Sequence, residues 1–450
     1  MNSNLATART RSASPVSEIT AENRGVVLLG RVVSAGILAL LIFGPIALGG
    51  VEPWAVLVLE VGTALLLSLW CVQQLRLGQL EVFDHPLFLP AGLFALLVLG
   101  QILFVRSVYV DATITQALKY AAYGSLVFLT AQYAKRRSDL KYMAMALTIF
   151  GFVFAVFAML QSLSGTTKIY WVHAPSSSNA VIFGAYANHN HYAGLMELLI
   201  PFPLMFALGG MWRGAKRTLW AFAAVAMGCS LFLSKSRGGM IAFVVQLIVV
   251  GLLSLRRSSK QTYLAVGLAA VLMIGSLAWL DSYGVIRERV TSLRNPMAAA
   301  GIRFTILEDS ARMFVVHPVL GWGLDVFPIA YPQYRSFPTD FFVNQAHNDY
   351  LQVLVETGAL GFLLVLWFIY RFYWNALPFT RDWMQDMKSC VRAAALVACT
   401  GILVHSFTDF NLHVPANAAL FFVLATIAAM PDNRSPHAYT HRRRRTHQPS

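Results

Sequence analysis

Charge is scarce in this sequence. Only 12% of its 450 residues are Asp, Glu, Lys or Arg, where soluble domains carry roughly 25%. Hydrophobic residues make up 57% of the chain and the mean hydropathy is +0.59. A water-soluble core cannot absorb that excess, so a soluble protein is excluded and an integral membrane protein is expected. Cysteine is sparse too. Cys71, Cys229, Cys390 and Cys399 lie in or beside apolar runs without zinc-like or disulfide-like spacing, so they read as small hydrophobes. No glycine-rich nucleotide-binding loop is present. Acids are the rarer charge, 21 against 35 Lys and Arg, for a formal net charge of +14. That imbalance invites a nucleic-acid reading, which the placement of the cations excludes.

Apolar windows of about 20 residues predict an all-α chain with twelve spans near 28–49, 54–75, 87–105, 113–134, 142–163, 191–210, 218–234, 238–255, 262–280, 351–373, 391–411 and 416–430. Residues 1–25 are polar and expected to be disordered on the cytoplasmic side. The run at 32–50 is too long for a signal-peptide core and should stay as the first span. Spans one to nine then occupy 26–280, a hydrophilic segment 281–350, spans ten to twelve 351–430, and a basic cytoplasmic tail 431–450. With both termini inside, 24 of the 35 cations fall in cytoplasmic loops and tails, as the positive-inside rule asks. They serve topology and anionic headgroups rather than nucleic acid.

The eleven exceptions carry more information. Arg287, Arg289, Arg294, Arg303, Arg312 and Arg335 fall in the one long outside segment. There, Ala298–Val316 has helical spacing with Ile302, Ile306, Ala311 and Phe314 toward one side, stopped at His317–Pro318. A partly helical cap is expected. Lys235 and Arg237 sit in a tight outside turn, Ser234–Gly239. They either snorkel to headgroups, or Arg237 and the backbone beside Gly238 and Gly239 bind phosphate together at a helix start. Arg312 pairs most simply with Glu308 at i,i+4. Arg303 has no acid four residues away, which makes it a second candidate phosphate ligand.

A polar knot, Asn344–Asp349, runs into an apolar helix pattern with Glu356 two turns below. His347 is either a helix-start residue bonded to a loop or a general base, since imidazole titrates near neutrality. Asp349 reads as a helix cap. His189 and His191 form an H-x-H pair that a strand would turn to one side for a metal, but no outside acid or cysteine pair completes a site. Glu60, Glu197 and Glu356 lie inside spans and should face the bundle interior. His405, Asp409 and His413 recur at i,i+4 as one polar stripe. Tyr170, Trp171, Trp322 and Tyr331 serve either sugar stacking or interfacial anchoring.

Ala187–Glu197 (ANHNHYAGLME), Ser234–Gly239 (SKSRGG), the HPVLGWGLDVF run after Arg303, and His347–Gly361 (HNDYLQVLVETGALG) together resemble the bacterial O-antigen ligase and O-antigen polymerase superfamily over roughly residues 150–410. The resemblance implies a GT-C-like glycosyltransferase of the bacterial inner membrane, working on the periplasmic face without metal or other cofactor. The glycan donor would be undecaprenyl-pyrophosphate-linked, and the acceptor the lipid A core or another lipid-linked glycan. It implies catalytic roles for His347, Arg303 and Arg237. Lys235, Asn188, His189, His191, Asn348, Tyr350 and Glu356 would contact substrate. A ligase is the leading reading and a repeat-unit polymerase the alternative. A twelve-span transporter is more remote, because such proteins carry matched halves and here the polar residues gather on one side.

Overall fold

The computed structural model describes residues 21–104, 106–134, 137–175, 180–255, 296–339 and 342–431. The expected ninth span at 262–280, Arg287, Arg289, Arg294 and the basic tail from 432 lie outside them. So do Lys135, Arg136, Arg256, Arg257, Lys260 and residues 1–20.

Among the described residues the chain is all-helical, without a strand. The helices are α1 (Ala21–Ile46), α2 (Pro53–Leu77), α3 (Phe88–Leu103), α4 (Val110–Tyr133), α5 (Arg137–Leu163), α6 (His189–Leu199), α7 (Pro201–Leu208), α8 (Ala215–Leu233) and α9 (Arg237–Leu255). After the next segment come α10 (Pro296–Val316), the single turn α11 (Phe327–Ala330), α12 (Asp349–Ala376), α13 (Met387–His405) and α14 (Pro415–Ala429). Eight segments are long and apolar enough to cross a membrane, with α6 and α7 counted as one. Two more, α3 and α14, are apolar but shorter. Over the expected fourth span α4 does form, but it carries Asp111 and Lys119. The N-terminal stretch differs from expectation, because helix already begins at Ala21.

Packing sorts these helices into centre and rim. In the α6–α7 span 89% of the apolar window is buried and in α13 78%, against 17% for α1. Small residues set that order, since Ala, Gly and Ser let helix backbones approach where lipid offers no hydrophobic drive. Inside α13, Ala393, Ala394, Ala395, Ala398 and Gly401 are buried. The expected sixth span breaks into two helices at Pro201, which has no N–H to donate and starts α7.

The expected tenth span is broken as well. Gly358 interrupts α12 with φ 66° and ψ −173°. The break opens α12 to the segment after α10. Val355 O accepts from Trp322 N–H (3.0 Å) and Glu356 O from Gly323 N–H (2.9 Å), while Ala359 N–H donates to Pro318 O (2.8 Å). Irregular backbone at membrane depth is tolerated only when its polar groups are satisfied inside the protein, and this inserted loop satisfies them. A Cβ on Gly358 would stand 2.3 Å from the Val319 carbonyl, and one on Gly321 2.4 Å from Glu356 backbone. Both positions require glycine.

The segment expected as a cap is helical over Pro296–Val316, but with a different inner face. Helix α10 ends at Val316, before His317–Pro318, as expected. It buries Ile306, Asp309, Ser310 and Met313, while Ile302 is 50% exposed. Apolar spacing misplaced the face because two of its inward residues are polar. Asp309 accepts from Tyr331 Oη–H and Ser336 N–H, both at 3.1 Å. It also lies 3.3 Å from Arg312, which therefore pairs at i,i+3 rather than with Glu308.

Candidate active site

The site is organised by the end of a helix. An α-helix leaves its last carbonyls without intrahelical partners. At the end of α13 and in the turn that follows it, free carbonyls are taken up by groups from distant parts of the chain. Leu403 O accepts from Tyr350 Oη–H (2.6 Å) and Ser406 O from Asp349 N–H (2.9 Å). Phe407 O accepts from Asn348 Nδ2 (3.2 Å), and Thr408 O from Arg303 Nη1 (3.3 Å). The turn Ser406–Phe410 thus collects the start of α12 and the arginine of α10.

The start of α9 reaches the same turn. Ser236 is buried, and its Oγ accepts from Gly239 N–H at 3.1 Å, which caps the helix. A Cβ on Gly238 would stand 2.5 Å from Thr408 Oγ1 and 2.6 Å from the His405 ring, and one on Gly239 2.7 Å from Ala193. The Ser236–Gly239 stretch fits against His405 and Thr408 only because it lacks side chains there. Arg237 lies between, and Lys235 before it is exposed with left-handed backbone, φ 61°.

Helix α6 closes the ring. Asn188 caps it by accepting from Asn190 N–H (2.9 Å). Nδ1 of His189 lies 2.7 Å from Ser234 O, which ties this helix start to the Arg237 turn. His191 packs its ring on Phe410, centroids 4.7 Å apart, and its Nε2 lies 3.3 Å from Asn188 Nδ2. The two histidines stand on a helix rather than a strand, so they face different partners and do not form the metal-facing pair that H-x-H suggested. Among the described residues no group of three or more His, Cys, Asp or Glu could hold a metal ion.

At the centre stands His347. Its backbone is left-handed, φ 54°, a conformation unusual for a side-chain-bearing residue and one that surrounding structure must enforce. Its Nδ1 lies 3.5 Å from Asp409 Oδ1, at the outer limit of hydrogen bonding. The His347 side chain is 25% exposed and that of Asp409 1%. Asp409 also accepts from Asn190 Nδ2 and from Phe410 N–H. Burial alone pushes the Asp409 carboxyl up, but its contact with His347 and the nearby His191 and His405 outweigh it and hold it well below the usual carboxylate range.

A second pair joins the same two segments in reverse. His413 Nδ1 lies 2.8 Å from Asp349 Oδ1, and Ser406 Oγ–H donates to Asp349 Oδ2 at 2.7 Å. Burial works to lower the His413 imidazole, but the hydrogen bond and charge of Asp349, with Glu356 and Asp325 beyond, raise it. The helix cap is Asn348, which accepts from Leu351 N–H (3.0 Å), and not Asp349. Nor do His405, Asp409 and His413 form one stripe. The helix ends at His405, whose Nδ1 lies 2.7 Å from Glu197 Oε1, while Asp409 faces His347 and His413 faces Asp349, so the three have separate partners.

Arg303, the Arg237 turn, His347, Asn348, Tyr350 and His191 therefore meet at the end of α13 and the turn after it, and Asn188 and His189 hold the neighbouring start of α6. Glu356 stands apart. It is buried, accepting from Asp325 N–H (2.9 Å), Phe327 N–H (3.4 Å) and Gln352 Nε2 (3.0 Å). The i,i+4 spacing of His405, Asp409 and His413 marks Asp409 as polar but does not reveal its partner His347, and no spacing marks Asn190, which donates to Asp409.

Chemically, a partly exposed imidazole backed by an ionised carboxylate can accept a proton, and guanidinium groups nearby can hold an anion. A comparison with curated proteins finds no match. Residues 222–366, which include Lys235, Arg237, Arg303, His347, Asn348, Tyr350 and Glu356, match the family model described as O-antigen ligase, and this domain match supports the O-antigen ligase and O-antigen polymerase superfamily.

Proposed function

We propose that the protein is a membrane glycosyltransferase of the O-antigen ligase type. It moves a glycan from undecaprenyl pyrophosphate to a sugar hydroxyl of the lipid A core, at the periplasmic face of the inner membrane and without a metal. Both termini are then cytoplasmic, and twelve spans form a GT-C-like bundle under the cap. One observation carries this reading: the Arg303 side chain, the Arg237 turn and the His347–Asp409 pair meet at Ser406–Phe410.

His347 takes the proton of the acceptor hydroxyl, whose oxygen forms the new bond to C1 of the donor sugar. The C1–O bond to pyrophosphate breaks, and its electron pair leaves with the pyrophosphate. Arg237 and Arg303 stabilise the charge that develops there, the role a metal plays in other transferases. Asp409 orients the imidazole through the Nδ1 side. Lys235, Asn188, His189, His191, Asn348 and Tyr350 shape the surrounding substrate site, with Glu356 supporting the cap beside it.

The test is the product made by purified protein from a lipid-linked glycan, with and without lipid A core. Glycan on the core supports the ligase. A longer lipid-linked chain in the absence of core assigns the polymerase activity instead. Transport of the glycolipid by reconstituted protein, with no transfer to either acceptor, overturns the enzyme reading.

A further inference from the structure

A cavity of about 530 Å³ lies between α3, α4, α12 and α14. Its walls are aromatic and aliphatic, including Phe94, Tyr120, Phe128, Phe368 and Phe422. One end reaches Asp349, Tyr350 and His413, beside the base-bearing start of α12. Small residues line α3 and α4 here: Ala91, Gly92 and Ala95 on one, Ala117, Ala121 and Gly124 on the other. In membranes such residues normally bring helices into close contact. At Gly92 and Gly124 they do not, because a Cβ on either would meet nothing within 4 Å.

Resting on the glycan-transfer reading above, we infer that this cavity holds one hydrocarbon chain of the lipid that carries the acceptor. An apolar space at membrane depth is filled by hydrocarbon, and its volume falls in the range of a single-ligand pocket. Its polar end lies two residues from His347, so a chain seated in it delivers its headgroup to the base. The donor's chain is the poorer fit. No Lys or Arg lines the cavity, and the carboxylate of Asp349 stands at its end. A pyrophosphate emerging there would meet Asp349 with its imidazole partner His413 already engaged by that carboxylate, whereas Arg303 joins the turn at Thr408. An acceptor needs no cation at that point, only a hydroxyl brought beside His347.

The test uses full-length protein in nanodiscs with Gly124→Leu and Gly92→Leu, which fill the cavity with side chains that have room. Gly100→Leu is the control: it also faces open space on α3 but does not line the cavity. Replacing glycine inside a helix does not weaken it. Both filling variants should raise KM for intact lipid A core about tenfold or more. KM for the deacylated core oligosaccharide and for the lipid-linked donor should not change, and the control should match wild type throughout. A rise in donor KM instead assigns the cavity to the donor chain and overturns the inference, and unchanged kinetics leave only bilayer lipid in it. Binding of lipid A core without donor separates this from the proposed function. Binding weakened in Gly124→Leu sustains the cavity even where wild type transfers nothing, and equal binding overturns it.

Discussion

His347 and Asp409 come from two segments that cross at the end of α13, and they face each other with Nδ1 3.5 Å from Oδ1. Two residues on, Asp349 reaches back to His413 at 2.8 Å. Each segment thus supplies one imidazole and one carboxylate, so the left-handed turn at His347 is clamped from both sides. Enforced backbone strain of this kind gathers where a side chain must be aimed.

His347→Ala should lower kcat by about 10²–10⁴, the usual contribution of a positioned general base, without loss of protein from the membrane. Asp409→Asn should lower it by less, since the imidazole stays but loses its orienting carboxylate. The depressed carboxyl of Asp409 is ionised throughout the neutral range. Any acidic limb in the rate profile between pH 5 and 9 therefore belongs to another group. Steady-state rates across that range check all three statements, and a wild-type rate in His347→Ala sinks the assignment.

Arg303→Ala and Arg237→Ala should each cost about 10²–10³ in kcat, as removal of one charge-stabilising donor does. Lysine at 303 should recover only part, because an ammonium lacks the planar fork that binds phosphate oxygens in pairs. Lys235→Ala should act less, since its side chain is exposed ahead of the turn. Initial rates at saturating acceptor separate these variants.

Much of this site was legible because its parts sit where sequence punctuates structure. Asn348 and Asn188 are helix-start residues, Ser236 precedes two glycines, and His317–Pro318 stops α10. The residues could be named, but not the surface that unites them. That surface is a row of backbone carbonyls at 403–408, and carbonyls have no residue signature. The break at Gly358 was hidden for a related reason: apolar residues resume directly after it, and the opened helix is satisfied by backbone of the inserted Pro318–Gly323 loop. The inner face of α10 was misread because its buried acid, Asp309, looks like surface.

That break yields a stability prediction. Gly358→Ala forces a side chain into φ 66° and within 2.3 Å of the Val319 carbonyl. The backbone conformation alone costs about 1–3 kcal/mol, and the overlap with immobile backbone adds to it. Detergent-solubilised Gly358→Ala should melt at clearly lower temperature, while Gly100→Ala, which meets nothing within 4 Å, should not. Equal melting of the two would show that the inserted loop is not held by close backbone packing.

The His413–Asp349 pair predicts how stability depends on pH. The imidazole is raised in the folded protein, because Asp349, with Glu356 and Asp325 beyond it, outweighs the lowering effect of burial. A raised imidazole stabilises the fold fully below its unfolded value of about 6.5. That contribution is lost as pH rises through the folded value. Wild-type protein should therefore exceed His413→Gln in melting temperature at pH 5–6, with the gap narrowing as the solution becomes alkaline. Hydrogen exchange should place the loosening at the Ser406–His413 segment, which Asp349 otherwise holds through Ser406 Oγ, Leu412 N–H and His413. A gap that stays constant from pH 5 to 9 would mean that His413 carries no charge in this pair. Its link to Asp349 would then be a neutral hydrogen bond.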